Sequence, residues 1–525
     1  MTRHAIRATL TRRPLVVVTS AMVAVVVAYV NFYRLGAAPA LADEWEYQRM
    51  GWNYWHWGQL PAKLRTLPTS NGEHVLFAKF LMGLGQVLVG HPSLTAARGV
   101  CALCGVLAAL ALGWWIARET TPWWGLATVA LVGTMPLSVY PLITRFTRAA
   151  MLDTPALLFM VVAIVALWWW CHDHTSRSWR GAVVAGVLAG LAVSSKETAA
   201  LGLIGPGLAA CHQAWRSTHE RRRVITQVMA MTLIALVVLV GSFLPLGHLR
   251  TRLTYLWHFQ LQHSAHGHLV GVAGQITRHP AWWANFWFAQ RGMGTTFSLA
   301  LVGLVVIALV WRRDRITRWL TSALLPAIFF LCFVEGMTLP YYWVMWAPLV
   351  VLLAMLGAAE LVTRARRSHG ASRRALSLVA VVAALALITP CVTQLTRTWS
   401  LHVEGPQKVA QIRGDSTSLV LVGALDEVYP TEYLPYLPAS AIRVNPSGSL
   451  VHVGWVAVGH APCPRPPYRL FRAIVAEGLR AGTLRRVYSD RLLTLYRVVG
   501  HLSTPSAAVV ASLPVFPPSQ LCRGN

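Results

Sequence analysis

Residues 12–47 read RRPLVVVTSAMVAVVVAYVNFYRLGAAPALADEWEY: two arginines, an apolar run over 15–33, a stretch of small residues, then the acids Asp43, Glu44 and Glu46. An apolar run of about 20 residues is the length that crosses a bilayer as a helix. Basic residues flank such helices on their cytoplasmic side. The segment therefore predicts a first span entered from the cytoplasm, which delivers Asp43 and Glu44 to the opposite surface. Ala40-Leu41-Ala42 has the form of a signal-peptidase site, but Asn31, Tyr33 and Arg34 separate it from the apolar run. An uncleaved anchor is favoured, and cleavage would leave the remaining topology unchanged.

The rest of the chain repeats this alternation. Of 525 residues, 55% are hydrophobic and 12% charged, and the mean hydropathy is +0.50. Soluble domains carry about 25% charged residues, so the fold class is an α-helical polytopic membrane protein. The net charge of +27 sits in short clusters between apolar runs. That is the arrangement of cytoplasmic loops rather than of a nucleic-acid face, and no nucleic-acid partner is expected.

Arginine clusters at 172–180, 215–223, 311–318 and 363–374 must be separated by even numbers of crossings if all are cytoplasmic. Paired apolar runs at 181–193 and 198–210, 224–246 and 295–310, and 320–333 and 342–361 meet that demand, and 376–392 leads outward. Before residue 180 the runs at 93–116, 123–142 and 154–170 keep parity only if the short run at 76–89 does not cross. Runs of about 10–14 residues suit interfacial segments, so 76–89 is expected to lie on the outer surface. The result is eleven spans, cytoplasmic N-terminus and extracytoplasmic C-terminus, with a first outer loop over 35–92 and a transmembrane domain over 1–396.

From 397 to 525 the pattern changes. Apolar runs at 418–423, 450–458 and 491–499 read as strands and 468–481 as a helix, which predicts a small extracytoplasmic α/β domain ahead of a Pro-rich tail at 505–518. Cys463 and Cys522 fall here and could pair outside the cell. Cys101 and Cys104 form a CxxC, but within an apolar helix, where small packing residues are the simpler reading.

Acids are scarce, so their positions carry information. Glu119, Asp173, Glu220, Asp314 and Glu360 fall near cytoplasmic ends, mostly beside basic residues. Asp43, Glu44, Glu46, Glu73, Asp153, Glu197 and Glu335 all fall on the outer side of this topology. Transporters place such groups near the bilayer midplane, whereas an enzyme of the membrane–water boundary places them at span ends. Carboxylates after the first span suit a general base, and a divalent cation is the one cofactor they could hold. Arg145 and Arg148 suit phosphate or an ion pair with Asp153, and Lys196-Glu197 sits at an outer turn between two apolar arms. His263-x-x-His266-x-His268 lacks a second ligand pair, so no metal site is assigned. This histidine- and tryptophan-rich loop reads better as a surface for a sugar or a pyrophosphate-like headgroup.

In order and spacing, ADEWEY (42–47), VLVGHPSLTAAR (87–98), RFTRAAMLDTP (145–155) and GLAVSSKETAA (190–200) resemble motifs of the GT-C superfamily of polyprenyl-phosphate-sugar glycosyltransferases. The branch is that of protein O-mannosyltransferases and aminoarabinose transferases, and the match covers about residues 15–365. The resemblance implies transfer of a sugar from a polyprenyl-phosphate donor to a glycan, lipid or protein acceptor outside the cytoplasm. Asp43 would be the general base, with Glu44 its neighbour and Asp153 the second acid. Arg145, Arg148 and Lys196 would hold the donor phosphate, whose developing charge cations stabilise. A base opposite the leaving group implies an inverting single displacement. Two stretches differ from the pattern: Asn71-Gly72-Glu73-His74 replaces a Lys-Pro-Pro-like element, and Leu339-Pro340-Tyr341-Tyr342 lacks the basic residue that precedes the tyrosines. Glu73, His74 and Tyr341, together with His263 and His266, remain candidates for binding substrate. The competing readings are a lipid-linked glycan flippase, which needs charges along a transmembrane path, and a non-catalytic membrane scaffold.

Overall fold

The computed structural model describes residues 3–38, 42–67, 70–138, 145–172, 178–216, 221–267, 270–273, 275–335, 338–401, 405–413, 418–422, 442–444, 453–459, 474–489 and 493–500. Their contacts divide the chain into two compact units. The first comprises Met1–Leu35, Tyr47–His268 and Arg278–Ser400; the second comprises Gly36–Glu46, Leu269–Thr277 and Leu401–Asn525.

The first unit is a helical bundle of α1 (Arg3–Phe32), most of α2 (Ala42–Trp55), α3 (Phe77–Val89), α4 (Leu94–Glu119), α5 (Pro122–Thr134) and α6 (Asp153–His172). It continues with α7 (Trp179–Ser195), α8 (Ala200–Arg216), α9 (Arg221–Gly241), α10 (Leu249–His266), α11 (Ala284–Met293), α12 (Thr295–Ile307), α13 (Arg315–Phe329), α14 (Ala347–Arg367) and α15 (Gly370–Trp399). Among the described residues, eight helices are long and apolar enough to cross a membrane: α1, α4, α6, α9, α12, α13, α14 and α15. The other three expected crossings fall on shorter helices, α5, α7 and α8. The chain is a multi-pass membrane protein.

Helix α5 ends at Thr134, short of the expected residue 142, because Met135 precedes Pro136 and takes the extended ψ of 146° that a proline imposes on its predecessor. The carbonyls of Val132 and Met135 accept hydrogen bonds from Arg145. The chain after Thr134 folds back so that Phe146 donates its amide to the Leu137 carbonyl at 2.9 Å. Helix α14 likewise begins at Ala347 rather than 342, with Pro348 in its first turn, where a missing amide costs no helical bond.

The helices approach closely where side chains are absent. A methyl group on Gly83 of α3 would lie 2.1 Å from the Gly51 carbonyl oxygen of α2, and one on Gly357 of α14 would lie 1.9 Å from the Leu304 oxygen of α12. Small residues at such crossings let helices pack without a hydrophobic drive from water. At the basic loops the acids serve helix ends. Asp314 accepts the Thr317 amide at 2.9 Å to start α13, and Glu119 accepts the Trp168 indole at 2.9 Å. Helix α3 buries Lys79 and Gln86 while exposing Leu84, Leu88 and Val89. This inverts the polarity of a soluble helix and suits a segment that rests its apolar face on lipid.

The second unit holds a hairpin of β1 (Val270–Val272) and β2 (Gln275–Thr277), a short α16 (Gly405–Arg413), a helix over 474–480, and one five-stranded sheet. The sheet comprises β3 (Ser418–Val422), β4 (Ile442–Val444), β5 (Val453–Gly459), β6 (Leu484–Ser489) and β7 (Leu493–Val498), in the order β4-β3-β5-β7-β6. β3 is parallel to β4 and β5, while β5–β7 and β7–β6 are antiparallel. Val456, Ile474, Val475 and Leu484 form its core with Tyr496 and Val498. The three expected strands are present; α16, β4 and β6 are additional. Cys463, Cys522 and the Pro-rich stretch lie outside the described residues.

Candidate active site

Three polar groups of the first unit meet at the ends of its helices, and α6 and α7 supply the central one. Asp153 is the first residue of α6 and is buried. Lys196 follows the last residue of α7, where the chain turns extended before a short 3-10 turn at Glu197–Ala199. Its Nζ stands 2.6 Å from Asp153 Oδ1. The same ammonium lies 5.4 Å from the ring centroid of Tyr341 and 5.1 Å from that of Tyr342, within cation–π range. Tyr341 in turn stacks on Phe146 at 5.4 Å, between Arg145 and Arg148 in sequence. The Lys196 side chain retains 13% of its surface, so the cation is enclosed by a carboxylate and two phenol rings yet reachable.

Beside it, His74 Nδ1 lies 3.8 Å from Glu197 Oε1, and the Tyr47 ring meets His74 edge-on at 5.9 Å. Burial works to raise the pKa of Glu197, but the facing His74, its own backbone and the charge of Lys196 hold it below the usual carboxylate value of 4.5. A depressed folded-state value means that the interaction is present above the unfolded-state value and lost as pH falls through the folded one. Wild-type protein should therefore lose thermal stability as pH falls below about 4.5, and Glu197→Gln should flatten that acid limb in melting curves recorded against pH. An unchanged limb would remove this carboxylate from the coupling.

The turn that carries His74 is fixed by a buried lysine. Lys79 Nζ of α3 donates to the Asn71 carbonyl at 2.8 Å and to Asn71 Oδ1 at 2.7 Å. Asn71 sits at a φ of 49°, a left-handed conformation that asparagine tolerates better than most residues. Its Nδ2 donates to Glu73 Oε1 at 2.9 Å, and Gln260 of α10 donates to the Glu73 carbonyl at 2.6 Å. Thus Asn71-Gly72-Glu73-His74 is a rigid presenting loop.

Arg145 and Arg148 are not grouped with Lys196. Arg145 is 1% exposed and uses its guanidinium within the protein: Nε donates to Asn31 Oδ1 and Thr147 Oγ1 at 3.2 and 2.8 Å, Nη2 to the Val132 carbonyl at 2.7 Å, and Nη1 to the Met135 carbonyl. Arg148 donates to the Val30 carbonyl at 2.6 Å and to the Tyr33 carbonyl, while Arg98 reaches the Leu35 carbonyl at 2.9 Å. These carbonyls belong to the end of α1 and the turn after it, where helical acceptors are left without partners and cations are favoured.

Asp43 and Glu44 occupy the first turn of α2, a favourable place for acids at a helix N-terminus. Glu44 is fully buried and Asp43 partly so. Residues up to Glu46 group with the second unit and those from Tyr47 with the first. On helix α2 itself, Asp43 lies one turn before Tyr47 on the same face. His263 stacks on Phe259 at 5.1 Å and His266 Nδ1 faces the Gln262 carbonyl at 2.7 Å, so both rings line α10. No group of three potential metal ligands is found among the described residues. Glu197, Tyr342 and Lys79 join the sites without having been assigned roles from sequence. Of these, only Glu197 carried a signal, through its place beside Lys196 at an outer turn.

Residues 77–247 match the family model described as dolichyl-phosphate-mannose-protein mannosyltransferase. No curated protein sequence matches the chain significantly. Among solved structures, ArnT from Cupriavidus metallidurans bound to undecaprenyl phosphate is similar at 15% identity and a TM-score of 0.54, covering 94% of this chain and 99% of ArnT. The apo oligosaccharyltransferase of Archaeoglobus fulgidus is similar at 12% identity and a TM-score of 0.53, covering 89% of this chain and 71% of its own. The oligosaccharyltransferase AglB of that organism, in complex with an inhibitory peptide and a dolichol-phosphate, gives 12% identity and a TM-score of 0.50, covering 85% and 70%. The chain has the GT-C type fold that its motifs resemble.

Proposed function

We propose that this chain is a glycosyltransferase that moves a sugar from a polyprenyl-phosphate-linked donor to an acceptor at the outer face of the cytoplasmic membrane. The carrying observation is the enclosed Lys196 ammonium, held 2.6 Å from Asp153 and faced by Tyr341 and Tyr342. The undecaprenyl phosphate and dolichol-phosphate held by structures of the same fold support the donor class.

In this reading Lys196 binds the donor phosphate and stabilises the charge that develops as the sugar–phosphate bond breaks. Asp153 orients Lys196 by a charge-assisted bond. Tyr341, His74 and Glu73, with the aromatic and imidazole face of α10 at His263 and His266, surround the sugar. Asp43 takes the proton of the attacking acceptor group, and attack opposite the phosphate inverts the anomeric centre. Arg145 and Arg148 take a different part: they tie the end of α1 to the 145–148 turn and so hold Phe146 beneath Tyr341.

The test is purified protein in detergent with a radiolabelled polyprenyl-phosphate sugar and a membrane extract as acceptor. Label should reach the acceptor; no turnover with any such donor would overturn the proposal. Lys196→Gln keeps a hydrogen bond to Asp153 but removes the charge. It should raise the donor KM roughly ten- to a hundredfold, the size of a lost bond between charged groups, with the acceptor KM unchanged. Equal losses for both substrates would argue against a donor-phosphate role.

A further inference from the structure

Away from the polar site, the bundle contains a cavity of about 600 Å³ lined by α1, α5, α14 and α15 with Leu304 of α12. This falls in the range of ligand pockets, about 300–1,000 Å³. Its wall is apolar, including Met22, Leu131, Met355, Ala384 and Leu387. The hydroxyls of Thr19 and Thr134 turn back to their own helices, onto the Leu15 and Ala130 carbonyls.

The two ends of the cavity differ. Where α1 and α15 leave it towards the Asp153 side of the bundle, Tyr33 stacks on Trp399 at 6.3 Å with Tyr29 at 6.4 Å, and the Arg34 guanidinium lies 5.2 Å from the Tyr33 ring centroid, so an aromatic clasp joins the helices. At the opposite end the lining rows continue into arginines. On α14 the row through Ala358 and Val362 reaches Arg366 one turn on; on α15 the row through Ala380 and Ala384 runs back two turns to Arg373. Arg366 and Arg373 are exposed. The nearby acid Glu360 is bonded to Arg364 at 2.8 Å.

We propose that this cavity binds one anionic phospholipid of the cytoplasmic leaflet, with an acyl chain in the groove and its phosphate at Arg366 and Arg373. An apolar slot whose α14 and α15 walls run on into exposed arginines complements such a lipid in both shape and charge. A zwitterionic lipid matches only the slot. The proposal is independent of sugar transfer and its readout does not use activity.

The experiment is native mass spectrometry of the full chain in detergent with phosphatidylglycerol or phosphatidylcholine added at equal concentration. Phosphatidylglycerol should be retained selectively, and Arg366→Gln/Arg373→Gln should weaken that retention about tenfold or more, given the contribution of each basic residue near anionic lipid. Both substitutions are at exposed positions, so folding is not at stake. Ala384→Phe, which fills the slot, should abolish retention while leaving the elution profile monodisperse; a misfolded Ala384→Phe would leave the arginine variant to decide. Equal retention of the two lipids, or an unchanged preference in the arginine variant, would overturn the proposal. Displacement of phosphatidylglycerol by polyprenyl phosphate at lower concentration would also overturn it, because the slot would then belong to a lipid carrier.

Discussion

Replacing Asp43 by asparagine should lower sugar transfer about a hundred- to ten-thousandfold, the range associated with loss of a general base, while donor binding stays intact. Asparagine has nearly the same shape and still accepts hydrogen bonds at the first turn of α2, so the change removes proton acceptance and little else. Single-turnover transfer and donor binding, measured on the same preparation, separate the two. The neighbouring Glu44 is fully buried, so Glu44→Gln should lower the melting temperature more than the rate. If Asp43→Asn transfers sugar within a few-fold of wild type, the base lies elsewhere and the assignment of Asp43 fails.

The largest effect on stability should come from Arg145→Met. The variant preserves bulk but leaves the Val132 and Met135 carbonyls without the donors they now have. Asn31 Oδ1 keeps its bond from Thr147 at 3.1 Å but loses the one from Arg145. Each orphaned buried acceptor costs about 1–3 kcal/mol, and whole folded proteins are stable by only about 5–15 kcal/mol. Little monodisperse protein should survive extraction, as read by size-exclusion chromatography and a thermal scan. The opposite outcome is equally clear. A variant with a normal melting temperature and lost donor binding would return Arg145 to the donor phosphate.

The fate of these residues shows what a linear reading reaches. Apolar runs and arginine clusters marked each helix apolar enough to cross a membrane, because span length and flanking charge are written locally; α10, too polar to register as a span, read as a loop. They also brought Asp153, Lys196, Glu197 and Glu73 to one surface, since the parity of crossings depends on nothing beyond sequence order. They could not separate Lys196 from Arg145. Both are cations at helix ends near motif residues, and either could meet a phosphate. The difference lies in their neighbours. Lys196 meets Asp153 and two tyrosine rings from distant segments, whereas Arg145 finds carbonyls at the end of α5.

The same division applies to the ends of elements and to the loops. Helix α5 is apolar well past Thr134, and Pro136 ends it there; what only the folded chain shows is that Arg145 takes up the Val132 and Met135 carbonyls that the break leaves open. Asn71-Gly72-Glu73-His74 reads as a loose polar loop until Lys79 is seen beneath it. By itself the sequence determined a multi-pass helical chain with a mixed α/β region after it, because hydrophobic length and period are local properties. Only the tertiary structure decided which cation lies open beside Asp153 and which is locked inside, because burial and hydrogen-bond partners are set by residues far apart in the chain.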